Sequence, residues 1–109
     1  MAQTPEGKVK KKITDLLKKR GVYYFFPVAS GYSSAGIPDI ICCVNGYFLA
    51  IEVKAPGKRQ NTTALQDSQL QAIHEAGGLA VVSTDEELPV IEFLVKSLQS
   101  RPPYGAPKI

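Results

Sequence analysis

Two apolar runs separated only by Asn45-Gly46 constrain the fold of this chain more than any other feature of its sequence. An Asn-Gly pair in that position is the strongest short-range signal for a β-hairpin closed by a type I′ turn. A two-residue turn also fixes the register, and the pairing continued outward places Asp39 opposite Glu52. Lys54 follows Glu52 by two residues and therefore shares its face of the sheet. A bulge in either strand would change this pairing.

The other elements are predicted from capping residues and apolar periodicity. The predicted elements are a helix capped by Thr4 and ended by Gly21, a strand over 22–28, a helix over 63–76, a strand over 79–83 and a last helix opened by the capping box of Thr84 and Glu87. A strand, a helix and a strand over residues 49–83 form a βαβ crossover, which predicts parallel strands. We therefore expect an α/β fold, with a mixed central sheet of about four strands flanked by about three helices.

Length and composition set the class of protein. The 109 residues suffice for one domain, and 44% hydrophobic with 21% charged residues is ordinary for a globular protein. We expect this domain over 1–100 and a flexible tail over 101–109. No run has the length of a membrane helix and the N-terminus lacks the apolar core of a secretory signal, so we expect a cytoplasmic protein without a membrane partner. Cys42 and Cys43 should be reduced, buried, and on opposite faces of one strand.

The charged residues of the hairpin need a physical reason, because a buried charge is costly unless it is paired or bound to an ion. Two facing carboxylates repel each other. Three solutions are open for Asp39 and Glu52: one takes up a proton, Lys54 neutralises the pair at a solvated strand end, or a divalent cation lies between them. The register, the lysine and the basic loop that follows favour a cation, and carboxylates suit Mg²⁺ or Mn²⁺.

Two further polar residues have alternative interpretations. Glu6 precedes Val9 by three residues and Ile13 by seven, which places it on the inward face of the first helix. The alternative is that Glu6 only stabilises the helix N-terminus electrostatically. Gln66 completes a capping box with Thr63, which explains it without any chemistry.

The motif Pro38-Asp39 followed by Glu52-Val53-Lys54 resembles that of the PD-(D/E)xK nucleases. The chain also resembles the virus-type replication-repair nuclease (VRR-NUC) domain in the surrounding segments SSAGIPD (33–39), Thr63-x-x-Gln66 and Ala76-Gly77-Gly78. The resemblance extends from about residue 6 to 87, and the chain is similar to the small stand-alone form of bacteriophages. The resemblance implies a restriction-endonuclease-like fold.

The same resemblance implies roles for individual residues. Asp39, Glu52 and the backbone carbonyl of Val53 would hold Mg²⁺ or Mn²⁺, and Lys54 would orient the attacking water or stabilise charge on the phosphate. Glu6 and Gln66 match further acidic and amide positions of the site, with Gln69 as the fallback for Gln66. The residues expected to contact the DNA are Lys8, Lys11, Lys12, Lys58, Arg59, Ser33 and Ser34.

The implied function is a metal-dependent, structure-selective DNA endonuclease of DNA repair and recombination. Four-way (Holliday) junctions are the expected substrate, and symmetric cutting of a junction calls for a homodimer, with the aromatic strand 23–26 or the last helix as the candidate interface. The alternatives are a nuclease acting on flaps or other branched DNA, a non-catalytic nucleic-acid-binding module with the same fold, and a small metal-stabilised interaction domain. A net charge of +3 and a pI near 8.9 are only weakly indicative of nucleic acid.

Overall fold

A computed structural model describes residues 3–28 and 35–103. Within these residues the chain forms a four-stranded sheet, three α-helices and a single 3-10 turn. The elements in chain order are α1 (Pro5–Lys19), β1 (Tyr23–Phe25), β2 (Ile40–Val44), β3 (Tyr47–Val53), α2 (Ala64–Glu75), β4 (Leu79–Ser83), the 3-10 turn (Asp85–Glu87) and α3 (Leu88–Gln99). The sheet is mixed and has the order β1-β2-β3-β4, so the predicted α/β layout is confirmed.

The Asn-Gly hairpin forms with the predicted register. Asn45 and Gly46 both have positive φ angles, 54° and 87°, as a type I′ turn requires. The β2–β3 pairing then runs without interruption from Val44 opposite Tyr47 to Ile40 opposite Ile51. Asp39 lies one residue before β2, and the next pair in this register is therefore Asp39 with Glu52.

The parallel crossover is also confirmed. β3 and β4 pair in parallel, with Leu49 opposite Leu79 and Val53 opposite Ser83, and α2 connects them. β3 lies between β2 and β4 in the sheet, and all of its residues from Leu49 to Val53 are buried.

The main core lies between one face of the sheet and helices α1 and α3. Ile13 of α1, Ile51 of β3 and Ile91 of α3 are completely buried there. Each side chain of this size stabilises the fold by about 1.5–3 kcal/mol when it leaves water. Helix α2 packs beside β4 and contains no buried residue. One face of the sheet is therefore closed, and the other is covered only in part.

The part left uncovered forms an apolar surface that we call the open sheet face. It consists of Tyr23, Phe25, Cys43 and Phe48, which the strand register places on the same side of the sheet. Tyr23 is 69% exposed and Phe25 is 48% exposed. Cys42 is buried on the opposite side, as expected, but the prediction that Cys43 is also buried is wrong. Cys43 is exposed because none of the helices in residues 3–28 and 35–103 covers this half of the sheet.

Two predicted elements differ in extent from those observed. The strand expected over 22–28 is limited to Tyr23–Phe25, which pair with Ile41–Cys43, and Pro27 has no N–H to continue the ladder. The capping box of Thr84 and Glu87 opens the short 3-10 turn, while the α-helix begins at Leu88 with Pro89 in its first turn. Proline is tolerated there because the first helical N–H groups have no intrahelical partner.

The first residues of the predicted tail contact the hairpin turn. The Asn45 side-chain amide donates hydrogen bonds to the carbonyls of Leu98 and Arg101, at 3.0 and 2.8 Å. The Tyr47 hydroxyl donates to the Pro102 carbonyl at 3.0 Å. Residues 104–109 of that tail lie outside the described residues. No helix in the described ranges is long and apolar enough to cross a membrane.

Candidate functional site

The open end of the hairpin brings together the acids and the lysine singled out in the sequence. The Val53 N–H donates a hydrogen bond of 2.8 Å to Oδ2 of Asp39, which fixes this carboxyl beside the end of β3. The Lys54 Nζ lies 3.8 Å from Oε2 of Glu52. The backbone N–H of Lys54 donates to the Ser83 carbonyl, so the neighbouring strand β4 holds this end of β3 in place.

Gln66 joins the acid and the lysine from the first turn of α2. Its Nε2 donates to Oε2 of Glu52 at 3.0 Å, and its Oε1 accepts a hydrogen bond of 2.9 Å from Lys54 Nζ. The same Oε1 accepts from the Thr63 N–H, which completes the predicted capping box. The two interpretations of Gln66 are therefore compatible, because one side chain caps the helix and also contacts both residues.

Glu52 is in an electrostatic environment that opposes its ionisation. Its side chain is almost completely buried, and the residue is 3% exposed. Burial, together with the negative charges of Asp39 and Glu6, raises the pKa of Glu52 to about 8, although Lys54 acts in the opposite direction. Its Oε1 is buried and has no hydrogen-bond partner among the described residues. A buried carboxylate oxygen without a donor is unusual, and it is where a proton, a water molecule or a cation would be accommodated.

Gly36 allows the loop before β2 to approach the start of α2. Its φ angle is +84°, and a Cβ atom placed on it would lie 2.5 Å from the carbonyl carbon and oxygen of Leu65 and 2.7 Å from the backbone nitrogen of Gln66. Only glycine fits at that distance. The glycine of the GIPD segment thus lets the segment that carries Asp39 lie against the helix turn that carries Gln66.

The remaining predicted site residues lie further from this cluster. Glu6 is exposed in the first turn of α1, and is not buried with Val9 and Ile13, but its charge still acts on Glu52. Gln69, one turn beyond Gln66, makes no contact with the cluster in the described hydrogen bonds. Within residues 3–28 and 35–103, no group of three or more His, Cys, Asp and Glu side chains is arranged to hold a metal ion.

The pair of Asp39 and Glu52 nevertheless suits a magnesium-type ion. Mg²⁺ is commonly bound by one or two carboxylates together with water and substrate phosphate oxygens, without a full protein cage. Oε1 of Glu52 has no hydrogen-bond partner among the described residues, so a cation that displaces the Glu52 proton would find an available ligand oxygen there. The donor set therefore fits a cation that completes its coordination with substrate and solvent.

The predicted DNA-binding residues are spread over two exposed surfaces. Lys8, Lys11 and Lys12 are exposed on α1, where Lys11 pairs with Asp15 at 2.9 Å. Lys58 and Arg59 are exposed in the loop after β3, and the Arg59 Nε donates to the Val82 carbonyl. Ser33 and Ser34 lie outside the described residues.

One basic residue of α1 that the sequence interpretation did not select lies closer to the site. Lys10 is half-buried, and it lines a cavity together with Asp39. The helical spacing indicates that Lys10 lies on the same side of α1 as Glu6, because it follows Glu6 by four residues.

Comparison with protein-family models, with curated proteins and with solved structures gives no match to this chain. The functional conclusions therefore depend on the geometry of the cluster and on the sequence motif.

Proposed function

We propose that the chain is a metal-dependent, structure-selective DNA endonuclease of the VRR-NUC type, which hydrolyses phosphodiester bonds in four-way junctions as a homodimer. The observation that supports this most directly is the cluster of Asp39, Glu52, Lys54 and Gln66, in which a buried carboxylate oxygen has no partner within the described chain. A module that only binds nucleic acid does not need two facing carboxylates at the end of a hairpin.

Asp39, Glu52 and the backbone carbonyl of Val53 would hold Mg²⁺ or Mn²⁺. When bound, such an ion polarises the phosphate and lowers the pKa of a water molecule to generate the nucleophile. The Val53 N–H keeps the Asp39 carboxyl in position through its 2.8 Å hydrogen bond. Glu52 is kept from solvent, which strengthens its electrostatic interactions.

Lys54 supplies a positive charge at a defined position. Its ammonium group is held by Oε1 of Gln66 and lies close to Glu52, so it faces the place where a phosphate would meet the acids. A fixed charge at this point stabilises the negative charge that develops on the phosphate during hydrolysis. Gln66 is a positioning residue here, because it orients both Glu52 and Lys54.

The homodimer is part of the proposal because one chain carries one cluster and symmetric cutting of a junction needs two. The open sheet face supports it, since four uncharged residues leave an apolar surface exposed. On α3, the other candidate interface, Val90 and Phe93 are also exposed. We place the protein in the cytoplasm, or in the host cytoplasm if a bacteriophage encodes it.

The test is cleavage of labelled four-way junction, flap and linear duplex in Mg²⁺, in Mn²⁺ and in EDTA. Paired cuts are expected in the junction, and none in EDTA. Asp39→Asn keeps an acceptor for the Val53 N–H, yet should lower the rate by at least about 100-fold, because even outer-shell changes at metal sites cost 10–100-fold. Lys54→Met should lower it by about 10²–10³-fold.

Glu75→Gln is the matched control, since Glu75 is exposed at the end of α2 and glutamine keeps the acceptor for the Gln71 side chain. It should cut as the wild type does. Absence of cleavage of every substrate in both metals would overturn the nuclease proposal, and binding without cleavage would favour the non-catalytic module. Preferential cutting of the flap would show that the substrate is a flap and not a four-way junction.

A further inference from the structure

Lys10 is held in a defined position on the side of α1 that faces the candidate site. Its Nζ lies 4.0 Å from the centroid of the Phe26 ring. A cation over an aromatic face is attracted by the ring quadrupole. Lys10 also pairs with no acidic side chain in the described part of the chain. Its charge is therefore oriented but not neutralised.

Lys10 and Asp39 both line a cavity of about 210 Å³. The rest of the described lining is uncharged and consists of Pro27, Val28, Ala35, Gly36, Ile37 and Pro38. A candidate metal ligand and an unpaired cation thus share one small cavity.

The volume and the charge limit what this cavity can hold. Pockets for drug-sized ligands have volumes of about 300–1,000 Å³, and this cavity is smaller. It suits a compact anionic group that belongs to a longer chain. Lysine binds such groups as a point charge, as it does with phosphate.

We propose that Lys10 and this cavity bind the backbone phosphate adjacent to the one that is cleaved. This inference rests on the proposed nuclease function and adds a phosphate-binding position to it. Asp39 lines this cavity and is opposite Glu52 in the hairpin register, so a phosphate bound at Lys10 would place the neighbouring phosphodiester beside the acids. Lys8, Lys11 and Lys12 on the exposed sides of α1 do not line this cavity.

The experiment compares Lys10→Met with Lys96→Met, in which the same charge is removed from an exposed position on α3. Methionine keeps an aliphatic chain against Phe26, and circular dichroism checks that both variants fold. Fluorescence anisotropy with labelled four-way junction in EDTA gives Kd over a range of salt concentrations. Lys10→Met should weaken binding about tenfold and reduce the slope of log K against log salt by about 0.9, the value for one lost phosphate contact.

Lys96→Met should leave both quantities unchanged, and Lys10→Arg should restore the salt slope because it keeps the cation. A merely structural role for Lys10 would not change the slope by one contact. An unchanged affinity and slope in Lys10→Met would overturn the inference. If the wild type also cleaves junctions, the proposed function survives that result, whereas a wild type that neither binds nor cleaves DNA overturns both.

Discussion

Replacement of Glu52 by glutamine should remove most of the pH dependence of stability that the metal-free protein has between pH 6 and pH 9. Burial and the neighbouring acids raise the pKa of Glu52 to about 8, from an ordinary value of 4.5. The native state therefore holds a proton that the unfolded state releases. Stability from this group is fully present below pH 4.5 and is lost as the pH rises through 8.

The size of the effect follows from the proton linkage. Between pH 6 and pH 7, unfolding releases about one proton from Glu52, which corresponds to about 1.36 kcal/mol for each pH unit, and the release falls to about half a proton at pH 8. The wild type should therefore lose about 2–3 kcal/mol of unfolding free energy between pH 6 and pH 9 through this group. Glutamine stays neutral throughout, so Glu52→Gln should lack this loss.

Urea denaturation followed by circular dichroism in EDTA, at pH 6, 7, 8 and 9, measures the effect. The relevant quantity is the difference in unfolding free energy between the two proteins, since other titrating groups contribute equally to both. The altered contact with Gln66 changes the unfolding free energy of Glu52→Gln by the same amount at every pH, so it does not affect this comparison. Glu86→Gln, at an exposed position, is the control and should parallel the wild type. A difference that stays constant within about 0.5 kcal/mol from pH 6 to 9 would refute the raised pKa.

Two further predictions concern the loop before β2 and the open sheet face. Gly36→Ala should lower the unfolding free energy, measured by urea denaturation, by about 1–3 kcal/mol more than Gly57→Ala does. Both glycines have positive φ, but only a Cβ atom at Gly36 would meet the backbone of α2. Equal losses would show that the close approach is not required. The double change Tyr23→Ser and Phe25→Ser should convert a dimer to a monomer in gel filtration with light scattering, while Phe93→Ser on α3 should not. A double variant that remains dimeric would contradict the open sheet face as the interface, and a wild type that is monomeric at high concentration would contradict the homodimer.

The contact between Lys54 and Gln66 illustrates how a local sequence signal becomes a site only through packing. Thr63 and Gln66 predict a capping box from four consecutive residues, and the box forms. That Gln66 also reaches Glu52 and Lys54 depends on where α2 lies against the sheet. This placement depends on the close approach at Gly36, 30 residues away in sequence from Gln66.

The difference between local sequence signals and packing also explains why the prediction for Cys43 is wrong and why the sequence interpretation did not select Lys10. Alternation along a strand tells that Cys42 and Cys43 point to opposite sides, but not whether a helix covers each side. The helical spacing places Lys10 with Glu6, but only the tertiary structure puts its ammonium group over Phe26 and beside Asp39.

The sequence alone determined those features that depend on neighbouring residues, namely the helix caps, the Asn-Gly turn and the hairpin register that sets Asp39 opposite Glu52. Backbone geometry and short-range hydrogen bonds decide these features, and they act over a few residues. Only the tertiary structure decided the burial of Glu52, the open sheet face and the cavity at Lys10. These depend on which distant segments pack together and exclude water, and no local pattern carries that information.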